Sequence, residues 1–404
     1  MKTFLRRLGP GILFAGAAIG VSHLVQSTRS GAEFGFGLLW ALLLVHLFKY
    51  PFFQFGPRYA MATGSSLLEG YHKLGKPILF AYFALNMATI FTIQTAVTIV
   101  TAGLAASLFG VTTDPILWSI LILVVSSGIL VIGRYQFLDK LMKYIVVALS
   151  ICTIAAVVIA TANSVDTLEF SQIIPSDAAG IAFLIAFMGW MPAPLDISVW
   201  QSIWAIEKQK VQKSYTVKDS ISDFNIGYVC TIITGILFTS LGALILYQTG
   251  EDLESGATQF AFQFIEIYTT TIGPSAYYII AIAAFAAMFS TTLTTLDASP
   301  RSMALATTLL FGTKSKYNTL SWLLLLVTGT ICMLLFLLSE MVTLVTIATI
   351  LSFVTAPFYA IVNYMLVSSK HMPKQWRPSR PMHILSWMGI LFLIGFSIWY
   401  LSTL

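Results

Sequence analysis

The chain has little charge and few cysteines. Of its 404 residues only 10% are charged and three are cysteine, whereas a soluble domain carries about a quarter charged residues. Hydrophobic residues make up 57% of the chain, and its mean hydropathy is +0.85. This composition excludes a soluble protein and nucleic-acid binding. It predicts an integral membrane protein with the lipid bilayer as its partner, while oligomeric state stays open.

The sequence also lacks the motifs of catalysis and of primary transport. It contains no P-loop, no HExxH, no GxSxG and no cluster of its five histidines. Cys152, Cys230 and Cys332 lie singly in apolar runs without a CxxC spacing, so we interpret them as small buried hydrophobic residues. We therefore expect neither an enzyme nor a resident cofactor.

Long apolar runs account for most of the chain. A spanning helix needs about 20 apolar residues, and long continuous runs favour helices over the short alternating segments of a barrel. The sequence predicts an all-α integral membrane protein with eleven transmembrane helices. They lie near 9–30, 35–62, 78–107, 115–133, 136–162, 178–204, 222–248, 272–297, 318–338, 341–367 and 384–403.

Charge is distributed unequally between the two sets of loops. Basic residues cluster in 58–76, 134–143, 208–218, 301–316 and 370–380, whereas the opposite loops are acidic and contain only Arg29 as a basic residue. Because basic loops stay in the cytoplasm, this asymmetry predicts a multi-pass protein of the inner (plasma) membrane. Its N-terminus is expected in the cytoplasm and its C-terminus outside.

The first and sixth apolar runs are interrupted near their middle. Gly20-Val21-Ser22-His23 interrupts the first run, and Gly189-Trp190-Met191-Pro192-Ala193-Pro194 the sixth. Interrupted helices in corresponding positions are typical of a five-plus-five inverted repeat with a binding site at the membrane midplane, although glycine and proline also serve close helix packing. The predicted units are 1–164 (helices 1–5), 165–369 (helices 6–10) and 370–404 (a cytoplasmic linker and helix 11).

Several motifs, spread over nearly the whole chain, resemble those of one transporter family. They are Gly9-Pro10-Gly11, the segment from Gly31 to Trp40, Arg58 with Ala62-Thr63-Gly64, Met191-Pro192, Leu351-Ser352 and Pro357-Phe358. In order and spacing they resemble the Nramp family of divalent metal transporters. The resemblance implies a LeuT-type inverted-repeat fold and secondary-active transport by alternating access.

The departures from the family pattern fall on its metal site. The Asp-Pro-Gly-Asn motif of helix one is replaced by the four residues from Gly20 to His23, so the ligand carboxylate is missing. In helix six the family's methionine is matched by Met191, but its histidine and asparagine become Ala193 and Pro194. The helix-ten glutamine aligns near Ala348 or Thr349. The acidic residue of helix three is replaced by uncharged sequence around 94–97.

A rebuilt site is therefore expected between the two interrupted helices. His23, Met191 and Asp196 are the candidate metal ligands, and imidazole with thioether favours manganese or iron over magnesium or calcium. His23 is equally a candidate proton acceptor, and Asp196 a candidate structural ion pair. Gly20, Gln26 and Trp190 complete the predicted substrate site.

Coupling residues are expected on helices two and eight. By resemblance to LeuT-type folds, Thr291, Thr294 and Thr295 form a sodium cage, although such hydroxyls also bond back to their own helix. Lys49 lies deep in helix two, where its ammonium either replaces a coupling cation or neutralises Asp196 or Asp297.

Two functions remain open at this point. The first is transport of a metal cation, plausibly manganese or iron, coupled to a proton or sodium gradient through an altered site. The alternative is transport of a small organic or anionic solute on the same fold, with helix N-termini binding its negative group.

Overall fold

The computed structural model describes residues 9–132, 135–163, 169–247, 253–312, 318–336 and 340–403, with the backbone alone for 135–147. Every regular element in these ranges is helical, and fifteen helices are found there. The prediction of an all-α protein is confirmed.

The first half contains seven helices. They are α1 (Pro10–Ala18), α2 (Ser22–Phe34), α3 (Leu39–Thr63), α4 (Leu67–Leu74), α5 (Lys76–Phe109), α6 (Pro115–Ile132) and α7 (Tyr135–Asn163). The first turns of α2, Ser22–Ser27, are π-helical. Together α1 and α2 form one bent helix, with an angle of 48° between the two parts.

The second half repeats this order and then adds a helix. It contains α8 (Ala178–Trp190), α9 (Ile197–Val211), α10 (Val217–Tyr247), α11 (Ala257–Ile272), α12 (Tyr277–Phe311), α13 (Asn318–Phe336), α14 (Met341–Ser368) and α15 (Arg380–Leu401). In α10 the last six residues, Gly242–Tyr247, are π-helical.

The lengths of the elements show the internal repeat. Each half begins with a broken helix, followed by a long helix and a shorter one. Then come helices of 34, 18 and 29 residues in the first half and 35, 19 and 28 residues in the second. The five-plus-five architecture with broken helices one and six is thereby confirmed, while the unit boundaries at 164 and 369 stay predictions.

A helix lies within each predicted span, but the number that crosses the membrane stays a prediction. In the described ranges seven helices are long and apolar enough to span, and the bent pair α1–α2 makes an eighth. Two helices lie outside the predicted runs, namely α4 and α11. Cys332, expected to be buried, is exposed, and Cys152 and Cys230 are half-buried.

Glycine lets backbones approach closely where the broken helices pack. A Cβ on Gly11 would lie 2.1 Å from the carbonyl oxygen of Asp223, and a Cβ on Gly227 2.0 Å from that of Gly11. The helix-six break makes the same kind of contact, since a Cβ on Gly189 would lie 2.1 Å from the oxygen of Thr349. Thus α1 is packed on α10, and α8 on α14.

Candidate functional site

The break in helix one is closed by its own side chains. The Ala18 carbonyl, at the end of α1, accepts a hydrogen bond from Ser22 Oγ at 2.5 Å, and His23 Nδ1 lies 2.9 Å from the same oxygen. A carbonyl at a helix end lacks its usual helical donor, and the Ala18 oxygen also accepts from the amide of Gly20 at 2.8 Å. The bonds are local and involve a hydroxyl and an imidazole.

His23, in helix one (α2), is held against helix seven of the predicted spans, which is α10. Its ring is fully buried over Gly235, with Nε2 3.0 Å from the Thr231 oxygen and Nδ1 2.7 Å from Ser22 Oγ. Both ring nitrogens therefore face oxygen atoms of the protein in this conformation. The roles of His23 as metal ligand or proton acceptor stay predictions.

The break in helix six is closed by a side chain from helix two. Lys49 is fully buried, and its Nζ donates hydrogen bonds to the oxygens of Met188 at 2.8 Å, Gly189 at 2.7 Å and Ala193 at 3.4 Å. Its expected partners Asp196 and Asp297 form no ion pair with it, although both are described. Asp196 acts on the ammonium only at longer range.

Beside these breaks, Gln26 contacts helix ten and its neighbour Ser27 contacts Met191. Gln26 Nε2 donates to Thr349 Oγ1 at 3.4 Å, and Ser27 Oγ donates to the Met191 sulfur at 3.9 Å. Gln26 is 1% exposed, and its Oε1 has no hydrogen-bond partner among the described residues. We call Gln26, Ser27, Met191 and Thr349 the junction cluster.

The sequence analysis missed two members of this cluster. Ser27 and Thr349 were not proposed as site residues. Two signals pointed to them: Ser27 directly follows Gln26, and Thr349 lies where the helix-ten glutamine of the resembling family aligns. What the cluster offers a ligand is an amide oxygen, two hydroxyls and a thioether.

A small cavity of about 30 Å³ lies between the two breaks. Most of the side chains that line it are apolar. The lining residues are Ala17, Ala18, Val21, Ser22, Ile93, Val97, Trp190, Ala193, Pro194, Ile197, Trp200, Thr291 and Thr295. The indole N–H of Trp190 points to helix ten, where it donates to Ser352 Oγ at 2.8 Å. The predicted residue Trp190 thus contributes its apolar ring to the cavity.

Helix eight of the predicted spans, which is α12, contacts helix one (α1) at the same level. Thr291 Oγ1 donates to the oxygens of Ala287 at 3.1 Å and Gly16 at 3.4 Å, and Thr295 Oγ1 to that of Thr292 at 2.9 Å. Most of these bonds stay within helix eight. Thr294 is buried nearby, and the sodium cage stays a prediction.

The two intramembrane aspartates lie in different surroundings. Asp196 is 5% exposed, and its Oδ1 lacks a partner among the described residues. Asp297 accepts a hydrogen bond from Arg301 at 2.7 Å. Thus Asp297 is engaged in a structural pair, whereas Asp196 has one free oxygen.

Asp223 is a further polar residue that the sequence analysis missed. Its carboxylate accepts hydrogen bonds from the amides of Gly9 at 3.1 Å and Gly11 at 2.8 Å, and from the Tyr215 hydroxyl at 3.1 Å. Burial and the Asp223 charge raise the pKa of the Tyr215 phenol, which keeps it a donor. Asp223 therefore ties the beginning of helix one to helix seven.

In the part of the chain that the structure describes, no group of three or more His, Cys, Asp or Glu side chains is arranged to hold a metal ion. Residues 11–403 match the family described as natural resistance-associated macrophage protein-like, Nramp. This chain belongs to the Nramp family.

Individual relatives agree with this family assignment. The chain is 35% identical to an uncharacterized protein of Pasteurella multocida, over 98% of this chain and 92% of the relative. It is 24% identical to the divalent metal cation transporter MntH of Staphylococcus saprophyticus, over 71% of this chain and 67% of the relative. Members of the Nramp family are membrane transporters rather than enzymes.

Among solved structures, the chain is similar to the Eremococcus coleocola manganese transporter in complex with an aromatic bis-isothiourea compound. The TM-score is 0.77 at 14% identity, covering 100% of this chain and 87% of the other. This likeness confirms the LeuT-type fold of this Nramp member as a multi-pass membrane protein. The orientation of its termini stays a prediction.

Proposed function

We propose that this Nramp member is a secondary-active transporter that moves a metal cation, of the manganese or iron class, by alternating access at the junction of its broken helices. One observation carries the proposal: Ser27, next to Gln26 in the chain, contacts the Met191 sulfur at 3.9 Å, and the buried amide oxygen of Gln26 has no partner among the described residues. A buried polar atom is normally hydrogen-bonded, so this oxygen is suited to a transported ligand.

The chemistry of the junction cluster favours a softer cation. Magnesium and calcium need several oxygen ligands with negative charge, whereas a thioether donor suits softer metals. Manganese also agrees with the names of two similar proteins, since one is a divalent metal cation transporter and another a manganese transporter. Without a carboxylate in the cluster, we expect weaker binding than a charged site would give.

The driving gradient is proposed to be a proton or sodium gradient. Asp196 supports proton coupling because it is a buried carboxylate with one unpartnered oxygen. Thr291 supports sodium coupling because its hydroxyl approaches the Gly16 carbonyl of helix one at 3.4 Å. Transport driven separately by each gradient distinguishes the two.

A second candidate function is transport of a small organic solute. The apolar lining of the cavity, with the rings of Trp190 and Trp200, favours it. Against it stands the size of the cavity, because about 30 Å³ accommodates only one or two water molecules. An organic solute would therefore require a much wider open state.

Thermal unfolding of the purified protein with a panel of ligands tests the proposal. Manganese should raise the unfolding temperature selectively over magnesium, because a ligand that binds only the folded state stabilises it. Met191→Leu, which removes the thioether at similar volume, should reduce this shift. Met303→Leu is the matched control, since Met303 is fully buried in a different part of the core.

The outcomes separate the two candidates. A manganese shift that is lost in Met191→Leu and kept in Met303→Leu supports the metal site. An absent manganese shift, together with stabilisation by an organic solute, would replace the first function by the second.

A further inference from the structure

The carbonyl groups at the end of α8 need a donor that the helix itself does not supply. In an uninterrupted helix the Met188 oxygen would accept from the amide of residue 192, but that residue is Pro192, which has no N–H. The helix ends at Trp190, and the next residue is extended. Met188, Gly189 and Ala193 are all buried, so bulk water does not reach their oxygens to replace the missing donor.

Lys49 fills this gap with matching geometry. A protonated lysine has three N–H donors, and Nζ of Lys49 lies 2.8, 2.7 and 3.4 Å from the oxygens of Met188, Gly189 and Ala193. A neutral amine has only two N–H donors. The three acceptors therefore favour the charged form.

Nearby dipoles and charges offset part of the cost of burying a positive charge at this point. The C-terminal end of a helix carries a partial negative charge, and α8 with its 13 residues ends directly at the ammonium. The Asp196 carboxylate adds a second negative field. His46, the other titratable side chain that interacts with Lys49, donates from Nδ1 to the Leu42 oxygen at 2.7 Å instead.

We propose that the Lys49 ammonium is a built-in cation that holds the helix-six break together, in the place where three converging carbonyl groups would otherwise bind a monovalent cation. Lys49 is thus a positioning residue for the junction. The consequence for transport, that the cycle needs no dissolved ion at this point, rests on the proposed function. The claim that Lys49 holds the helix-six break together does not depend on the proposed function.

Chemical rescue tests the proposal without any transport substrate. Lys49→Ala removes the ammonium and its stem and leaves the three carbonyl groups around an empty volume. We expect the unfolding temperature of the purified protein to fall by about 10 °C. Propylammonium chloride should restore part of this loss, compared with sodium chloride at equal ionic strength.

Two control variants make the rescue specific. Lys49→Met keeps most of the side-chain volume without the charge, so it should be destabilised and should not respond to propylammonium. Lys73 is exposed, and Lys73→Ala should neither lose stability nor respond. If Lys49→Ala does not fold without the amine, growth and purification with propylammonium should recover the folded protein, and Lys49→Met should not be recovered.

Two results would overturn the proposal. The first is a Lys49→Met protein as stable as the wild type, because the charge would then be dispensable. The second is an equal response of Lys49→Ala and Lys73→Ala to propylammonium. An absent manganese response would contradict the proposed function alone and leave this test intact.

Discussion

The two broken helices expose the same kind of carbonyl group, but they satisfy it with different chemistry. At the first break the Ala18 oxygen is bonded by Ser22 and His23, which lie only a turn away on the same helix. At the second break the oxygens of Met188 and Gly189 are bonded by Lys49 from another helix. The first arrangement is local, and the second ties two helices together.

This difference indicates which break can move. Rearranging helix one breaks bonds within that helix and uncharged contacts of His23 with Thr231 and of Gln26 with Thr349, besides the contact of its first residues with Asp223. Rearranging helix six separates a buried ammonium from its acceptors, and an uncompensated buried charge is strongly unfavourable. We therefore expect helix one to move more than helix six during transport.

Substituting Gly189 should have the largest effect and would test the rigidity of helix six. In Gly189→Ala the new Cβ would lie 2.1 Å from the backbone oxygen of Thr349, so α8 and α14 must separate. We expect a loss of unfolding free energy of about 3 kcal/mol or more, measured by chemical denaturation in detergent. Gly128→Ala is the control, because a Cβ at Gly128 meets nothing within 4 Å.

His23→Ala should have the next largest effect and would test the local closure of helix one. It removes the contact of Nε2 with the Thr231 oxygen, which also accepts from Thr234 Oγ1 at 3.2 Å, and opens a cavity, which should lower the unfolding free energy by about 2–4 kcal/mol. Because both ring nitrogens face protein oxygens, the manganese shift should survive. A variant of normal stability that no longer responds to manganese would instead make His23 a ligand.

Asp223→Asn should have a smaller effect and would test the attachment of helix one. The amides of Gly9 and Gly11 would lose a charged acceptor but keep a neutral one, so we expect a loss of about 1–2 kcal/mol. The stronger expectation concerns dynamics, since amide hydrogen exchange should increase in 10–18 and not in 178–190. Equal exchange in both segments would remove the distinction between the two helices.

Gly20→Ala should have the smallest effect of these substitutions. Its Cβ would lie 2.7 Å from Thr291 Oγ1, a side-chain atom, rather than from backbone. We expect a loss of about 1 kcal/mol, which Thr291→Ala should relieve in the double variant, as a double-mutant cycle in unfolding experiments would show. If the losses of the two single variants simply add in the double variant, the loss in Gly20→Ala does not come from its contact with Thr291.

Much of the fold could be predicted from the sequence because apolar runs and glycine or proline clusters report directly on spanning helices and their breaks. Helix α11 was not predicted because it lies outside the long apolar runs, and its exposed positions include Gln259 and Glu266. The number of spans depends on the membrane, which a chain's own geometry does not supply.

The site could be predicted only in part. Gln26 and Met191 were found because each lies at or beside a helix break. The partners of Lys49 were missed because backbone carbonyl groups leave no trace in a residue pattern. Asp223 was missed because its contact with Gly9 joins residues 214 positions apart, a distance over which spacing carries no information.

The most direct test of the central claim is manganese uptake into liposomes that contain the purified protein and a fluorescent metal indicator. The account predicts uptake by the wild type and by Met303→Leu, and a rate lower by about tenfold or more in Met191→Leu. Uptake no faster than in protein-free liposomes, or an equal rate in all three proteins, would contradict it.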